Sequence, residues 1–374
     1  MNKIVQLVFV IIVVLWFCTH IYTWKDDEGT DHESMSIPNR LLLDISSNNS
    51  SSNLDRIAFL SSQLQRFTMD DIDLKEDEHH LEDLVYKLYK KLYVASARNV
   101  HYTLEPQGVC MQEDNIKLII FVHTSPQNVE QRTSIRETWA QKKILHQYNY
   151  KIVFVTGFNQ NMSMSQLSAE AEQHKDLLLV DFVDSYHNLT FKALSWQKWV
   201  LLNCNHIKYV LKTDDDVFLN IFMLNSFVTN ELPKVPSVGI WCNLYIRYPP
   251  IRPGDNTFMN KWSISWREYP FSGNYPPFCQ GLAYFMSMNA VTRTYHASKS
   301  AHHVWLDDVY ITGLLAEKAG INQKSISDFY FNKYMIHSRV WQFLFNPDVC
   351  NYLFSLTQDT EHMHSLFKHV LEHA

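Results

Sequence analysis

Residues 206–220 read HIKYVLKTDDDVFLN. An apolar run at 209–211 leads straight into Asp214, Asp215 and Asp216, and Val217 and Phe218 restore apolar character at once. The pattern predicts a buried strand that ends on three carboxylates. Carboxylates wedged between apolar residues repel one another and lose hydration, which is costly without a counter-charge. A divalent cation supplies that charge through the oxygen ligands it prefers. In open α/β sheets ligands bind beyond the carboxyl ends of strands, where this cluster falls. A solvated turn with an aspartate capping the next helix is the other reading of the same residues.

Upstream, KLIIFVHTS (117–125), KIVFVTG (151–157) and LLLVDFV (177–183) read as buried strands bounded by polar or turn residues. Between them, 131–143 and 189–202 have helical length and spacing. The alternation of strand and helix predicts an α/β sheet that is largely parallel at its start. Downstream, 238–287 reads as irregular, with prolines at 249, 250, 253, 270, 276 and 277, and further helices are expected at 290–299 and 307–319.

A second acidic pair, Asp307 and Asp308 in WLDDVYITGLLAEKAGI (305–321), opens the last of these helices. Taken by themselves such carboxylates are best explained by helix capping, and a general base held at the edge of a cleft is the other reading. His337, in YFNKYMIHSRVW, offers a nitrogen to a borderline metal such as Mn²⁺. Arg132 and Arg136, four apart in QRTSIRETWA, share one helical face, and guanidinium groups suit phosphate. Solvent exposure or a salt bridge with Glu130 is the commoner fate of such residues. Lys192 and Lys212 carry the same ambiguity.

Residues 4–24, IVQLVFVIIVVLWFCTHIYTW, have the length of a membrane span, since a helix of about 20 residues rises roughly 30 Å. Lys3 precedes the run, and Lys25, Asp26, Asp27 and Glu28 follow it. The positive-inside rule then leaves residues 1–3 in the cytoplasm and sends the bulk of the chain to the lumen, as a type II signal anchor. Sequons at Asn48, Asn49, Asn161 and Asn188 agree with that compartment. Residues 25–83 carry 15 acidic and five basic side chains, a net of −10, so 25–109 reads as a solvated stem and 110–374 as the folded body. Leu81, Leu84, Val85, Leu88 and Leu92 form a helical stripe, to be covered by the body or by a second chain in a homodimer. The net charge of −6 over 374 residues argues against a nucleic-acid partner held by phosphate neutralisation. Outside the span five cysteines remain, enough for two disulfides and one thiol over.

Several strings occur together in one order: RTSIRETWA (132–140), FVTG (154–157), DFVDSYHNLTFKALSW (181–196), YVLKTDDDVFLN (209–220), YPPFCQGLAYFMS (275–287), LDDVYITG (306–313) and His337-Ser338. The chain thereby resembles the family of β-1,3-galactosyltransferases and β-1,3-N-acetylglucosaminyltransferases, over roughly residues 117–341. The resemblance implies a GT-A fold (a Rossmann-like nucleotide-sugar transferase domain), a UDP-sugar donor, Mn²⁺, inversion at the anomeric carbon, and residence in the Golgi membrane. It gives Asp216 and His337 to the metal, Asp214 and Asp215 to the nucleotide and donor sugar, Arg132, Arg136 and Lys192 to the nucleotide pocket, and Asp308 to the general base. The acceptor is then a glycan on a glycoprotein or glycolipid. Two departures stand out: Asp307 replaces the family's usual glutamate, and Gly281-Leu282-Ala283-Tyr284 replaces G-x-G-Y. Trp241, Trp262, Trp266 and Trp305 are candidates for stacking on sugar faces, although core packing is the commoner use of such residues. Galactosyl transfer is favoured over N-acetylglucosaminyl transfer. A catalytically silent, membrane-anchored partner of another transferase is the alternative from a different class, and a metal-dependent phosphohydrolase is a third.

Overall fold

The computed structural model describes residues 100–110, 115–159, 163–204, 206–234, 237–254, 260–271, 273–329 and 352–373. All of them fall in one unit, Tyr93–Ala374. The expected span at 4–24, the acidic stretch at 25–83 and the 81–92 stripe lie outside these residues, as do Asn161 and His337. Among the described residues no helix is long and apolar enough to cross a membrane.

The apolar runs become strands β2 (Leu118–His123), β3 (Tyr150–Phe158), β4 (Leu177–Val183) and β5 (Tyr209–Asp214), close to the expected bounds. Both faces of β2 are buried, Ile119 and Phe121 in one apolar cluster and Leu118, Ile120 and Val122 in another. Such double-sided burial is why these strands read as continuous apolar runs rather than as alternation. They pair in parallel in the order β4-β3-β2-β5, with Phe121 opposite both Val153 and Lys212.

The sheet extends beyond this block at both edges. β1 (Tyr102–Leu104) pairs antiparallel with β4, carrying the sheet upstream of Cys110 into the segment read as stem. Three residues are too few for a period-2 signal. On the other side β8 (Phe278–Ser287) runs antiparallel to both β5 and β7 (Ile240–Tyr245), and β9 (Gln323–Ser325) lies parallel to β7. The region 238–287 is thus framed by two ordered strands. Its prolines sit in the long connection between them, where no ladder hydrogen bond is needed.

Helices cover both faces. α1 (Val129–Glu137) and α2 (Lys142–Tyr148) divide the expected 131–143 helix at a turn, and with α3 (Met164–His174) they pack on one face. α4 (Leu189–Asn203) lies on the other, with Ala193, Trp196, Trp199 and Val200 inward. α5 (Ile221–Asn230) follows the short strand β6 (Val217–Leu219), α6 (Met288–Ser298) follows β8, and a π-helical turn, Val309–Leu314, runs into α7 (Leu315–Lys318). β10 (Phe354–Leu356) pairs with β6, and α8 (Thr360–His373) packs near α1. Disulfides join Cys110 to Cys204 and Cys242 to Cys279, the two bridges that five cysteines allow; Cys350 lies outside the described residues.

Candidate active site at the carboxyl ends of the central strands

The strand order turns back between β2 and β5, because β3 and β4 lie on one side of β2 and β5 on the other. The loops leaving these two strands diverge there and open a crevice. β2 ends on His123 and runs into Thr124; β5 ends on Asp214, opposite His123 in register. The triple-aspartate cluster therefore stands at the topological switch point.

Each aspartate has a different environment. Asp215 accepts hydrogen bonds from Thr124 Oγ1 (2.6 Å) and Asn128 Nδ2 (2.9 Å), and its N–H donates to the His123 carbonyl (3.1 Å). Asp214 accepts from Lys212 Nζ at 2.6 Å, and its carboxyl is pushed up to about 7, chiefly by burial, with Asp216 and Asp307 adding to the effect of burial against Lys212. Asp216 is exposed, its backbone carbonyl pinned by the Thr357 N–H (2.7 Å) and hydroxyl (2.9 Å). Carboxylate oxygens at this end of β5 are thus open toward the crevice, a donor set that fits a hard divalent cation.

Lys212 is the hub of the site. Its ammonium, 2% exposed, reaches Asp214, the Gly281 carbonyl (2.6 Å) and, at 3.8 Å, Asp307 Oδ2. Burial alone works against its charge, but Asp214 and Asp307 outweigh burial and hold the ammonium above its ordinary range. Across β8, Asp308 accepts from the Val309 N–H at 2.7 Å, so the helix start caps itself while the second carboxylate oxygen stays near Gly281. Burial first, then Asp307, raises the Asp308 carboxyl to about 7. A Cβ on Gly281 would lie 3.2 Å from Asp308 Oδ2, so glycine admits this approach.

His123 was not singled out by sequence. It is buried, and among the described residues neither ring nitrogen has a hydrogen-bond partner; Nδ1 stands 3.8 Å from Asp307 Oδ2, which also lacks one. Burial, then Lys212 and Lys192, holds its pKa well below the usual histidine value, so the ring is neutral. The signal was present in FVHTS, a polar residue where an apolar strand reaches its carboxyl end.

The basic residues are committed to protein partners. Arg132, fully buried, donates to Glu170 (2.8 and 2.6 Å), Thr124 Oγ1 (3.3 Å), and the carbonyls of Ser125 (2.7 Å) and Pro126 (3.1 Å), which engages every guanidinium N–H. Arg136 forks onto Asp176 (2.9 and 2.7 Å) and also meets Glu170 at 2.9 Å. Lys192 bridges the Thr124 carbonyl (2.7 Å) and Asp184 (2.9 Å), whose other oxygen accepts from Gly157 N–H (2.8 Å) and Thr156 Oγ1 (3.0 Å). Lys192 and Asp184 thereby lock the carboxyl ends of β2, β3 and β4 together. Of the tryptophans, Trp241 and Trp305 are buried, Trp266 is 56% exposed beneath the Arg252 guanidinium (3.8 Å), and Trp262 is half-buried. Ala283 points its methyl into the core beside Leu211 and Phe285.

The galactosyltransferase family model matches residues 130–327, a stretch that begins at the second residue of α1 and contains the aspartate cluster, Gly281 and Asp308. The chain belongs to that family. It is 34% identical over 219 residues to human beta-1,3-galactosyltransferase 1, covering 58% of this chain and 65% of that protein. It is also 34% identical over 231 residues to human UDP-GalNAc:beta-1,3-N-acetylgalactosaminyltransferase 1, covering 60% of this chain and 65% of that one. The chain thus spans 65% of the length of the curated relatives it matches. A solved mannosyltransferase from Pyrobaculum calidifontis, in complex with GDP-Man and Mn2+, is 17% identical with a TM-score of 0.30, over 64% of this chain and 63% of that one.

Proposed function

We propose that this chain is an inverting, UDP-sugar-dependent β-1,3-hexosyltransferase of GT-A type that transfers galactose to a glycan acceptor on a glycoprotein or glycolipid. The observation that carries the reading is the pair of separate carboxylate groups on either side of Lys212. One group, Asp214–Asp216, is open at the switch point; the other presents Asp308, half-buried and raised toward neutrality. A base with that affinity takes a proton efficiently near pH 7. As the acceptor hydroxyl gives its proton to Asp308, its oxygen attacks the anomeric carbon from the face opposite UDP. The C–O bond to UDP breaks, and an α-linked donor becomes a β-linked product.

Asp216, with His337 from beyond the described residues, would hold Mn²⁺. Bound there, the ion would supply positive charge to the departing diphosphate. Asp214 and Asp215 face the nucleotide and donor sugar. Arg132 and Arg136 brace the Thr124–Pro126 loop under the nucleotide, and Lys192 fixes the loop's carbonyl side. The 4–24 span anchors the enzyme in the Golgi membrane as a type II protein, with the stem between span and body.

The test uses the full-length chain with UDP-galactose, UDP-GalNAc or UDP-GlcNAc and a panel of glycan acceptors, with Mn²⁺ or with EDTA. Mn²⁺-dependent transfer from UDP-galactose is the expected result. Transfer from UDP-GlcNAc or UDP-GalNAc alone would change the donor. Release of free sugar equally well without acceptor would make the chain a hydrolase, and UDP–Mn²⁺ binding with no turnover would make it a silent partner.

A further inference from the structure

We propose that Tyr186 and Trp262 form the acceptor subsite, an aromatic ledge on which a pyranose ring of the glycan lays its C–H face while its hydroxyl reaches Asp308. The assignment rests on the transferase reading and adds the residues that grip the acceptor. The hydroxyl under attack must lie within hydrogen-bond reach of the base, so the rest of its ring occupies the ground beside Asp308.

That ground is aromatic. Tyr186 opens the 3-10 turn Tyr186–Asn188 between β4 and α4 and is 45% exposed. Its ring leans on Trp305 at 5.6 Å between centroids, and His187 supports Trp305 from 4.5 Å. Trp305, 4% exposed, is held in place by the Thr190 hydroxyl, which donates to the Val304 carbonyl at 2.7 Å, and it precedes Asp307 by two residues. Trp262 lies near the Tyr186 hydroxyl and works against the rise of its pKa. Lys261 lies over the Trp262 ring at 4.1 Å, which sets that ring's orientation. Burial first, then Asp307, Asp308 and Asp214, pushes the Tyr186 hydroxyl up to about 12, so it keeps its proton near neutral pH.

A tyrosine with its ring braced on Trp305 and nearly half its surface in solvent is poorly explained by core packing. A pyranose matches it, with an apolar C–H face for the ring and hydroxyls for the polar rim.

The test measures acceptor and donor KM separately for the full-length protein, using UDP-galactose and the acceptor the wild type uses best. Tyr186→Ala and Trp262→Ala are expected to raise acceptor KM about three- to tenfold while donor KM stays within about twofold. Tyr186→Phe keeps the ring and is expected to stay within about twofold of wild type in acceptor KM, and Trp262→Phe serves if the alanine variant does not fold. Unchanged acceptor KM in the Ala variants, or an equal rise in donor KM, overturns the ledge while the transferase reading stands on the wild-type rate. A wild type that binds UDP but transfers no sugar removes both.

Discussion

Lys212→Met removes the one cation that, among the described residues, touches both carboxylate groups of the site. Taken with an effective dielectric constant near 20, its attraction to Asp214 at 2.6 Å is roughly 6 kcal/mol, and to Asp307 at 3.8 Å roughly 4 kcal/mol. Desolvation of the ammonium offsets much of this, and the 37% exposure of the Asp214 side chain screens its share. Removing one partner of a buried pair destabilises by about 3–5 kcal/mol, so the lower end, about 3 kcal/mol, is expected here. The sign of the pH dependence follows from the carboxyls. Asp214 and Asp308 have folded values raised above 3.8, so each contributes stability below its ordinary value that is lost as pH rises through about 7. Without Lys212 both rise further, so the deficit of the variant is greatest at about pH 8 and closes toward about pH 5 as protons replace the missing cation. Urea unfolding of wild type and variant at the two pH values measures it. Equal midpoints at about pH 8, or a deficit that grows on acidification, would refute the assignment of Lys212 as the shared counter-charge.

Asp308→Asn is expected to lower kcat by roughly 10²- to 10⁴-fold while calorimetric UDP binding is retained. In the wild type, kcat/KM should rise with pH through about 7, because the base must be unprotonated to act, and that limb should vanish in the variant. Gly157→Ala would place a Cβ 2.6 Å from the Phe182 carbonyl and 2.9 Å from its ring, so a loss of about 1–3 kcal/mol in thermal unfolding is expected, and an unchanged Tm would contradict the packing. Removing the Cys110–Cys204 bridge, whose cysteines are 94 apart in sequence, should cost about 4.7 kcal/mol by chain entropy, against about 4 kcal/mol for the Cys242–Cys279 bridge, whose cysteines are 37 apart. Chemical denaturation of the two Cys→Ser pairs tests that ranking.

The parallel half of the sheet was legible because burial on both faces leaves unbroken apolar runs; LLLVDFV became β4 residue for residue. β7 and β8 were not, since the prolines between them dominate the composition of 238–287 while the strands themselves hold polar residues, Asn243 and Gln280, that hydrogen-bond each other at 2.9 Å. The helix expected at 131–143 ends early because the backbone at Thr138 leaves helical geometry (φ −111°, ψ −112°) and a turn separates α1 from α2. At the site, the acidic residues were legible by type and spacing. Their counter-charges were not: charge in a sequence does not say which carboxylate a lysine meets, and the carboxylates that hold Arg132 and Arg136 come from Glu170 and Asp176, not from Glu130 on the same helix. His123 and Tyr186 acquire meaning only from what folds beside them.

Gly281 joins these parts. Its carbonyl accepts a hydrogen bond from Lys212 Nζ at 2.6 Å, and its bare Cα leaves 3.2 Å between a would-be Cβ and Asp308. A side chain here would push the base away from the cation that sets the field around it. Without Lys212, five aspartates gathered at 214–216 and 307–308 would repel one another, and protonation would be the cheapest relief. Protonation of Asp308 would remove the base. With Lys212 bonded to Asp214 and near Asp307, the proposed reading would leave carboxylate oxygens of the first cluster to a metal and nucleotide, and would let Asp308, its carboxyl raised to about 7, accept and release a proton. One lysine and one glycine on adjacent strands would thereby let acidic groups with the two proposed tasks share a single crevice.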